Sequence, residues 1–116
     1  MSDHVYWILA ATVKDGQRDE FDAVKDELIE ATATEEGCLN YEWSEGPDGT
    51  IHILERFADS AAAMAHMANF GPFAKRFMTC LTVNSWTLYG SPDETVQKAL
   101  SPMGAVHYSS IGGFSK

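Results

Sequence analysis

Apolar positions along the chain alternate between a period of two and a period of three to four, and this change of rhythm divides it into elements. "VYWILAATV", residues 5–13, is β-branched and aromatic and is closed by the turn pair Asp15-Gly16, which predicts a first strand. From Gln17 to Glu36, Phe21, Val24, Leu28 and Ile29 recur at helical spacing, while Asp19, Glu20, Asp22, Asp26, Glu27 and Glu30 supply a solvated face, the pattern of an amphipathic helix. Gly37 is expected to stop that helix in the left-handed conformation, where a Cβ would clash. In "CLNYEW" the alternation puts Leu39, Tyr41 and Trp43 on one face and Cys38, Asn40 and Glu42 on the other. The turn chemistry of "SEGPDGT" and a third strand, "IHILERF", complete a hairpin. On that strand Glu55 shares a face with Ile51, Ile53 and Phe57, where a structural role suits it.

Asp59 or Ser60 can cap the next helix, "AAAMAHMANF", which Gly71-Pro72 interrupts; Pro72 then opens a second helical piece, "PFAKRFMTCL". "TVNSWTLY" is a fourth strand before Gly90. The order βαββαβ predicts an α+β, ferredoxin-like fold in which helices cover one face of an antiparallel sheet. Strand one carries Trp7, Leu9 and Val13 against Tyr6 and Ile8, and strand four carries Val83 against Trp86 and Leu88. Apolar groups on both faces need cover on both, and a second copy of the chain is the simplest cover, so a homodimer is expected. Residues 1–90 form the domain. Residues 91–116 are an extension, with a short helix from Pro92 to Leu100 capped by Ser91 and a strand-like "AVHYSSI", expected to pack on the partner subunit.

With 116 residues the chain has room for one domain, and 45% hydrophobic and 22% charged residues exclude global disorder. A net charge of −9 with only eight Lys and Arg argues against nucleic acid and against an anionic membrane surface as partners. No apolar run is long enough to span a bilayer, and the first residues lack the basic segment of a signal peptide, so the expected location is the cytoplasm. Cys38 and Cys80 lack metal or redox spacing and read as inert thiols. No metal-ligand spacing of His and carboxylates occurs, nor a phosphate loop, a GxSxG turn or a dinucleotide fingerprint.

"EEGCLNYEW" followed by "ILERFADSAAAMAHMANFGPF" resembles the antibiotic biosynthesis monooxygenase family and its quinol monooxygenase members. The shared pattern is Glu35, Gly37, Cys38, Leu39 and Tyr41, then Glu55, Phe57 and Asp59, then a single helical His66, and the resemblance spans residues 5–89. It implies a dimeric α+β barrel with a pocket between sheet and helices. It also implies oxygen insertion into a quinol or polyphenolic aromatic by O2, with no metal, flavin or haem. Within that reading His66 is the candidate base and Tyr41 a candidate partner of a substrate oxygen. Asn40 and Asn84 are further oxyanion partners, and Met64, Met67, Phe70, Phe73, Phe77 and Trp86 suit an apolar pocket wall. The bland alternatives are a His66 bonded to backbone under the sheet and an aromatic core without a pocket. Haem-degrading relatives carry an Asn on the first strand and a His late in the second helix, and "ILAATV" and "PFAKRF" have neither. A non-catalytic dimeric module binding a small apolar molecule, or an isomerase or processing enzyme of the same fold, are the other readings. His107 and Tyr108 are expected on the surface, or else at a pocket mouth.

Overall fold

A computed structural model of the protein describes residues 2–116. The elements are β1 (Val5–Val13), α1 (Arg18–Thr32), β2 (Cys38–Glu45), β3 (Ile51–Phe57), α2 (Ser60–Phe70), α3 (Ala74–Cys80), β4 (Leu81–Gly90), α4 (Glu94–Leu100) and β5 (Ala105–His107). Three-residue 3-10 turns occupy Gly71–Phe73 and Ser101–Met103. The sheet order is β2-β3-β1-β4-β5, and the first four strands pair antiparallel, as the βαββαβ order requires of a ferredoxin-like α+β fold. The fifth strand departs from the expected all-antiparallel sheet. It runs parallel to β4, with Ala105 opposite Trp86 and His107 opposite Leu88, because the chain crosses over through α4 before returning to the sheet. The sheet is open.

The helices cover the sheet face that carries Trp7, Leu9, Ile53, Phe57 and Leu88, and they bury Phe21, Val24, Leu28, Ala63 and Phe77 against it. On the other face Tyr6, Ile8, Leu54, Arg56 and Tyr89 are only half-buried, and Tyr6 stacks on Tyr89 with ring centroids 5.4 Å apart. Helix α4 packs on α2 and buries Val96 and Leu100, so the extension is built onto its own chain as far as His107. Beyond it Tyr108, Ile111 and Phe114 are exposed. The cap of α4 is Asp93, whose carboxylate accepts from the Val96 N–H at 2.9 Å, and not Ser91. At α2 the cap is Asp59, accepting from Ala62 N–H at 2.8 Å.

Two bulges overrule the simple alternation of the sequence. Between β1 and β4 the register steps from Ala10 opposite Ser85 to Ala11 opposite Val83, leaving Asn84 as the extra residue. Val83 therefore joins Trp86 on the helix side, and Asn84 turns outward to donate to the Thr12 hydroxyl at 2.8 Å. Between β2 and β3, Cys38 pairs with Phe57 and Asn40 with Arg56, so Leu39 is the surplus residue. Cys38 packs against the core in its place, and Leu39 is exposed.

Helix α1 also ends earlier than its periodicity suggests. It stops at Thr32, and Ala33 to Glu35 continue as turns held by Ala33 N–H to Ile29 O and Glu35 N–H to Thr32 O, each 3.0 Å. Gly37 is not left-handed; the glycines with positive φ are Gly16, Gly49, Gly90, Gly104 and Gly113. Its lack of a side chain serves a close approach instead, because a Cβ there would overlap the Cβ of Ala62 on α2. Gly37→Ala is therefore expected to destabilise the fold by about 1–3 kcal/mol through overpacking, and Ala62→Gly in the same background to recover part of the loss. Urea unfolding measures both; an unchanged midpoint for Gly37→Ala would show that α2 does not need this contact.

Candidate active site

The contact between Gly37 and Ala62 seats the first turn of α2 on the start of β2. His66 lies four residues beyond Ala62, on the same helix stripe, and is carried beneath the sheet. The turn that ends α1 aims Glu35 at the same place: its two carboxylate oxygens lie 3.1 and 3.2 Å from His66 Nδ1. From the middle of β3, Glu55 closes the other side, with Oε1 3.0 Å from His66 Nε2. Glu55 stands between Trp7 on β1 and Tyr41 on β2 in the ladder, so its position is set from both edges. The side chains of His66, Glu55 and Glu35 are 4, 5 and 10% exposed, which makes this a buried triad and not a surface ion pair.

Each ring nitrogen faces a carboxylate oxygen. A carboxylate only accepts, and a neutral imidazole has one donor nitrogen, so two ionised glutamates require His66 as the imidazolium. Burial pushes the imidazole toward its neutral form, but the short contact with Glu55 and the charges of Glu55 and Glu35 outweigh it, and its pKa is raised above the ordinary value of 6.5. The triad then carries one net negative charge. Tyr41, its ring centroid 5.5 Å from that of His66, is pushed well above the usual phenol range, first by burial and then by the Glu55 charge. It is held as a hydrogen-bond donor.

Beside the triad lies a cavity of about 330 Å³, within the size range of small-ligand sites, roughly 300–1,000 Å³. Trp7, Leu9, Ile53, Val83 and Trp86 line it from the sheet, and Met67, Phe70, Phe77 and Met78 from α2 and α3. Tyr41, Glu55 and His66 give it one polar end, and Met103, after α4, completes the wall. Phe70 and Phe77 meet edge to face with centroids 5.2 Å apart.

Of the residues expected at a site, His66, Tyr41, Met67, Phe70, Phe77 and Trp86 therefore share the cavity. Met64 and Phe73 pack on the core without lining it. The 3-10 turn at Gly71–Phe73 changes the helical phase, which takes Phe73 off the stripe of Phe70 and Phe77. Asn40 lies on the opposite sheet face, where its amide donates to Glu42 at 3.1 Å, and the bulge sends Asn84 outward. His107 pairs along β4, and Tyr108 is exposed near Tyr89, so neither reaches the cavity. The sequence reading placed Glu55 in a structural role and gave Glu35 no role of its own. The available signal was a lone carboxylate on an otherwise apolar strand face.

The antibiotic biosynthesis monooxygenase family pattern matches residues 5–75, and the chain belongs to that family. No curated protein sequence matches it. Among solved structures it is similar to MupZ from Pseudomonas fluorescens, at 18% identity and a TM-score of 0.89, over 99% of this chain and 96% of that one. SnoaB, a cofactor-independent oxygenase from Streptomyces nogalater, is 20% identical with a TM-score of 0.67, over 79% of this chain and 96% of its own. Rv0793 from Mycobacterium tuberculosis is 25% identical with a TM-score of 0.69, over 78% and 97%. These likenesses establish the fold. Among the described residues no helix is long and apolar enough to cross a membrane.

The raised His66 pKa fixes the sign of a pH effect. The folded state holds the proton more tightly than the unfolded chain, so this stabilisation is complete below about pH 6.5 and is lost as pH rises through the raised value. The melting temperature is expected to fall across that window, and to fall less in Glu35→Gln, where one of the charges raising the pKa is gone. A wild-type curve that is flat or rising there would exclude the imidazolium.

Proposed function

We propose that the protein is a monooxygenase that oxidises a phenolic or quinol-type aromatic with O2 and needs no cofactor. The observation that carries this reading is the buried carboxylate–imidazolium–carboxylate triad at the polar end of an apolar cavity. Both nitrogens of His66 are engaged, so the group that takes the substrate's hydroxyl proton is Glu55, which lines the cavity. His66 and Glu35 position it and spread the charge. Tyr41 donates to the substrate oxygen. The phenolate then passes an electron to O2, the two radicals combine at a ring C–H carbon, and the peroxide takes back the proton held by the triad; loss of that carbon's hydrogen as a proton then breaks the O–O bond, which leaves a ring C=O and releases the outer oxygen as water. The substrate supplies every electron. Apolar walls keep bulk water from the anion and strengthen its interactions with the fixed groups.

A second reading is favoured by the protonated state of the triad, which can donate as readily as accept: an isomerase or processing enzyme that moves protons without O2. Oxygen uptake by the metal-free protein with quinols, naphthols and anthrones separates the two. Uptake well above autoxidation is expected, and Glu55→Gln is expected to lower kcat/KM by roughly 10²–10⁴. Conversion of substrate with no uptake would establish the second reading, and binding without conversion a non-catalytic module.

The same proposal includes a homodimer through the open sheet face, with residues 108–116 reaching onto the partner. Half-buried Tyr6, Ile8 and Leu54 lie there, and Arg56 Nε is buried with no partner in its own chain. Light scattering is expected to give twice 12.8 kDa, and Leu54→Asp to shift the mass toward the monomer. A monomeric wild type at micromolar concentration would overturn it.

A further inference from the structure

We propose that the C-terminal extension is the length-selecting part of the site. Met103, together with Met78, frames a mouth through which a neutral aromatic substrate extends an apolar chain. The inference rests on the cavity being the substrate site, and it names the substrate class more closely.

Every residue lining the cavity is buried or half-buried except Met78 and Met103, which are 51 and 52% exposed. The cavity therefore opens between these two methionines, with Glu55 and His66 among its deeply buried lining. Met103 is held at that opening from both sides. The preceding α4 packs on α2, which carries His66, Met67 and Phe70; the Asp93 N–H that starts α4 donates to Ser60 Oγ on α2 at 2.9 Å. The strand that follows, β5, places Ala105 opposite Trp86 on the other cavity wall. Gly104, with φ of +94°, makes the tight reversal between them. A residue anchored to both walls within a few positions keeps its place at the mouth.

Part of the chain lies outside its likeness to some structural relatives. SnoaB is matched over 96% of its own length by only 79% of this chain, whereas MupZ is matched over 99% of this chain. About a fifth of the protein thus has no counterpart in SnoaB, and the family pattern itself ends at residue 75. The extension contributes Met103 to the lining and no member of the triad.

The chemistry at each end sets the ligand. The negatively charged triad disfavours an anion, and the aromatic walls suit a flat ring system bearing a hydroxyl. At about 330 Å³ the cavity has room for such a ring system with its hydroxyl at the polar end, and an apolar substituent on the far side of the ring then points to the mouth. Two flexible, polarisable thioethers suit an alkyl or alkenyl chain and offer a charged substituent nothing.

Anaerobic calorimetric titration of the full-length protein with 1-naphthol and 4-alkyl-1-naphthols of increasing chain length tests this without turnover. In the wild type the affinity is expected to rise about fourfold per methylene over the first few carbons. Met103→Glu, at an exposed position, is expected to lose the dependence on chain length measured relative to its own 1-naphthol affinity, and Met103→Leu to keep it. The same chain-length dependence in Met103→Glu would overturn the role of the extension alone. An absence of chain-length dependence in the wild type, with 1-naphthol still bound, would overturn the substrate class while leaving the aromatic site standing. Failure of 1-naphthol to bind at all would remove the aromatic-site reading and this inference with it.

Discussion

An imidazolium enclosed between two carboxylates is the constraint on which the rest of this structure depends. Desolvating each ion costs several kcal/mol even after relaxation, and the mutual attraction offsets this only when the geometry is close. Three separate elements must therefore arrive within about 3 Å of one another: α2 with His66, the turn after α1 with Glu35, and the centre of β3 with Glu55. Gly37 is where this becomes a demand on the backbone. Its φ is one that any residue adopts, so the reason for glycine is the contact with Ala62 that lets α2 lie close enough for Glu35 to meet His66 one turn on. The early end of α1 belongs to the same arrangement, since the turns after Thr32 bring the Glu35 carboxylate within 3.1 Å of His66 Nδ1.

The triad also sets the protonation of its neighbours. Cys38 is pushed up to about 12 by burial and by the charges of Glu35 and Glu55, and Tyr41 is raised by burial and by Glu55. Both stay protonated in the neutral range. This thiol and this phenol are thus kept out of nucleophilic and basic roles first by burial and then by the nearby carboxylate charge.

The fold was legible because hydrophobic period, turn residues and caps agree: Asp15-Gly16, the Pro-Asp-Gly loop and Asp59 each sit where an element changes, and the βαββαβ order follows from them. The site was legible only in part. His66 and Tyr41 stand out as polar groups on apolar stripes, and Phe70 and Phe77 follow from helix spacing. Asn40 and Asn84 misled because strand parity survives only until a bulge, and a bulge inserts one residue with no marked change in composition. Phe73 misled because a single 3-10 turn shifts the helical phase. Glu35 was hidden among many acidic neighbours, although its spacing of seven from Leu28 and three from Thr32 sets it on the apolar stripe and apart from the solvated face. Met103 could not be read at all, because it approaches the cavity through a parallel strand pairing some twenty residues distant in sequence.

The polar part of the site is confined to one stretch of the chain. Its polar members, Glu35, Tyr41, Glu55 and His66, all lie within residues 5–75, the part that matches the family pattern. The far wall, Phe77, Met78, Val83, Trp86 and Met103, lies entirely beyond it. The proton chemistry thus lies wholly in the first segment, while the wall is shared between it, through Trp7, Leu9, Ile53, Met67 and Phe70, and the segments that follow. A change of residue in α3, β4 or the extension alters the space offered to a ligand while the three ionic partners keep their distances, because none of those partners is anchored there. In a chain of 116 residues the buried charge arrangement is thus held together within the first two thirds of the sequence, and part of the cavity wall can vary beyond it.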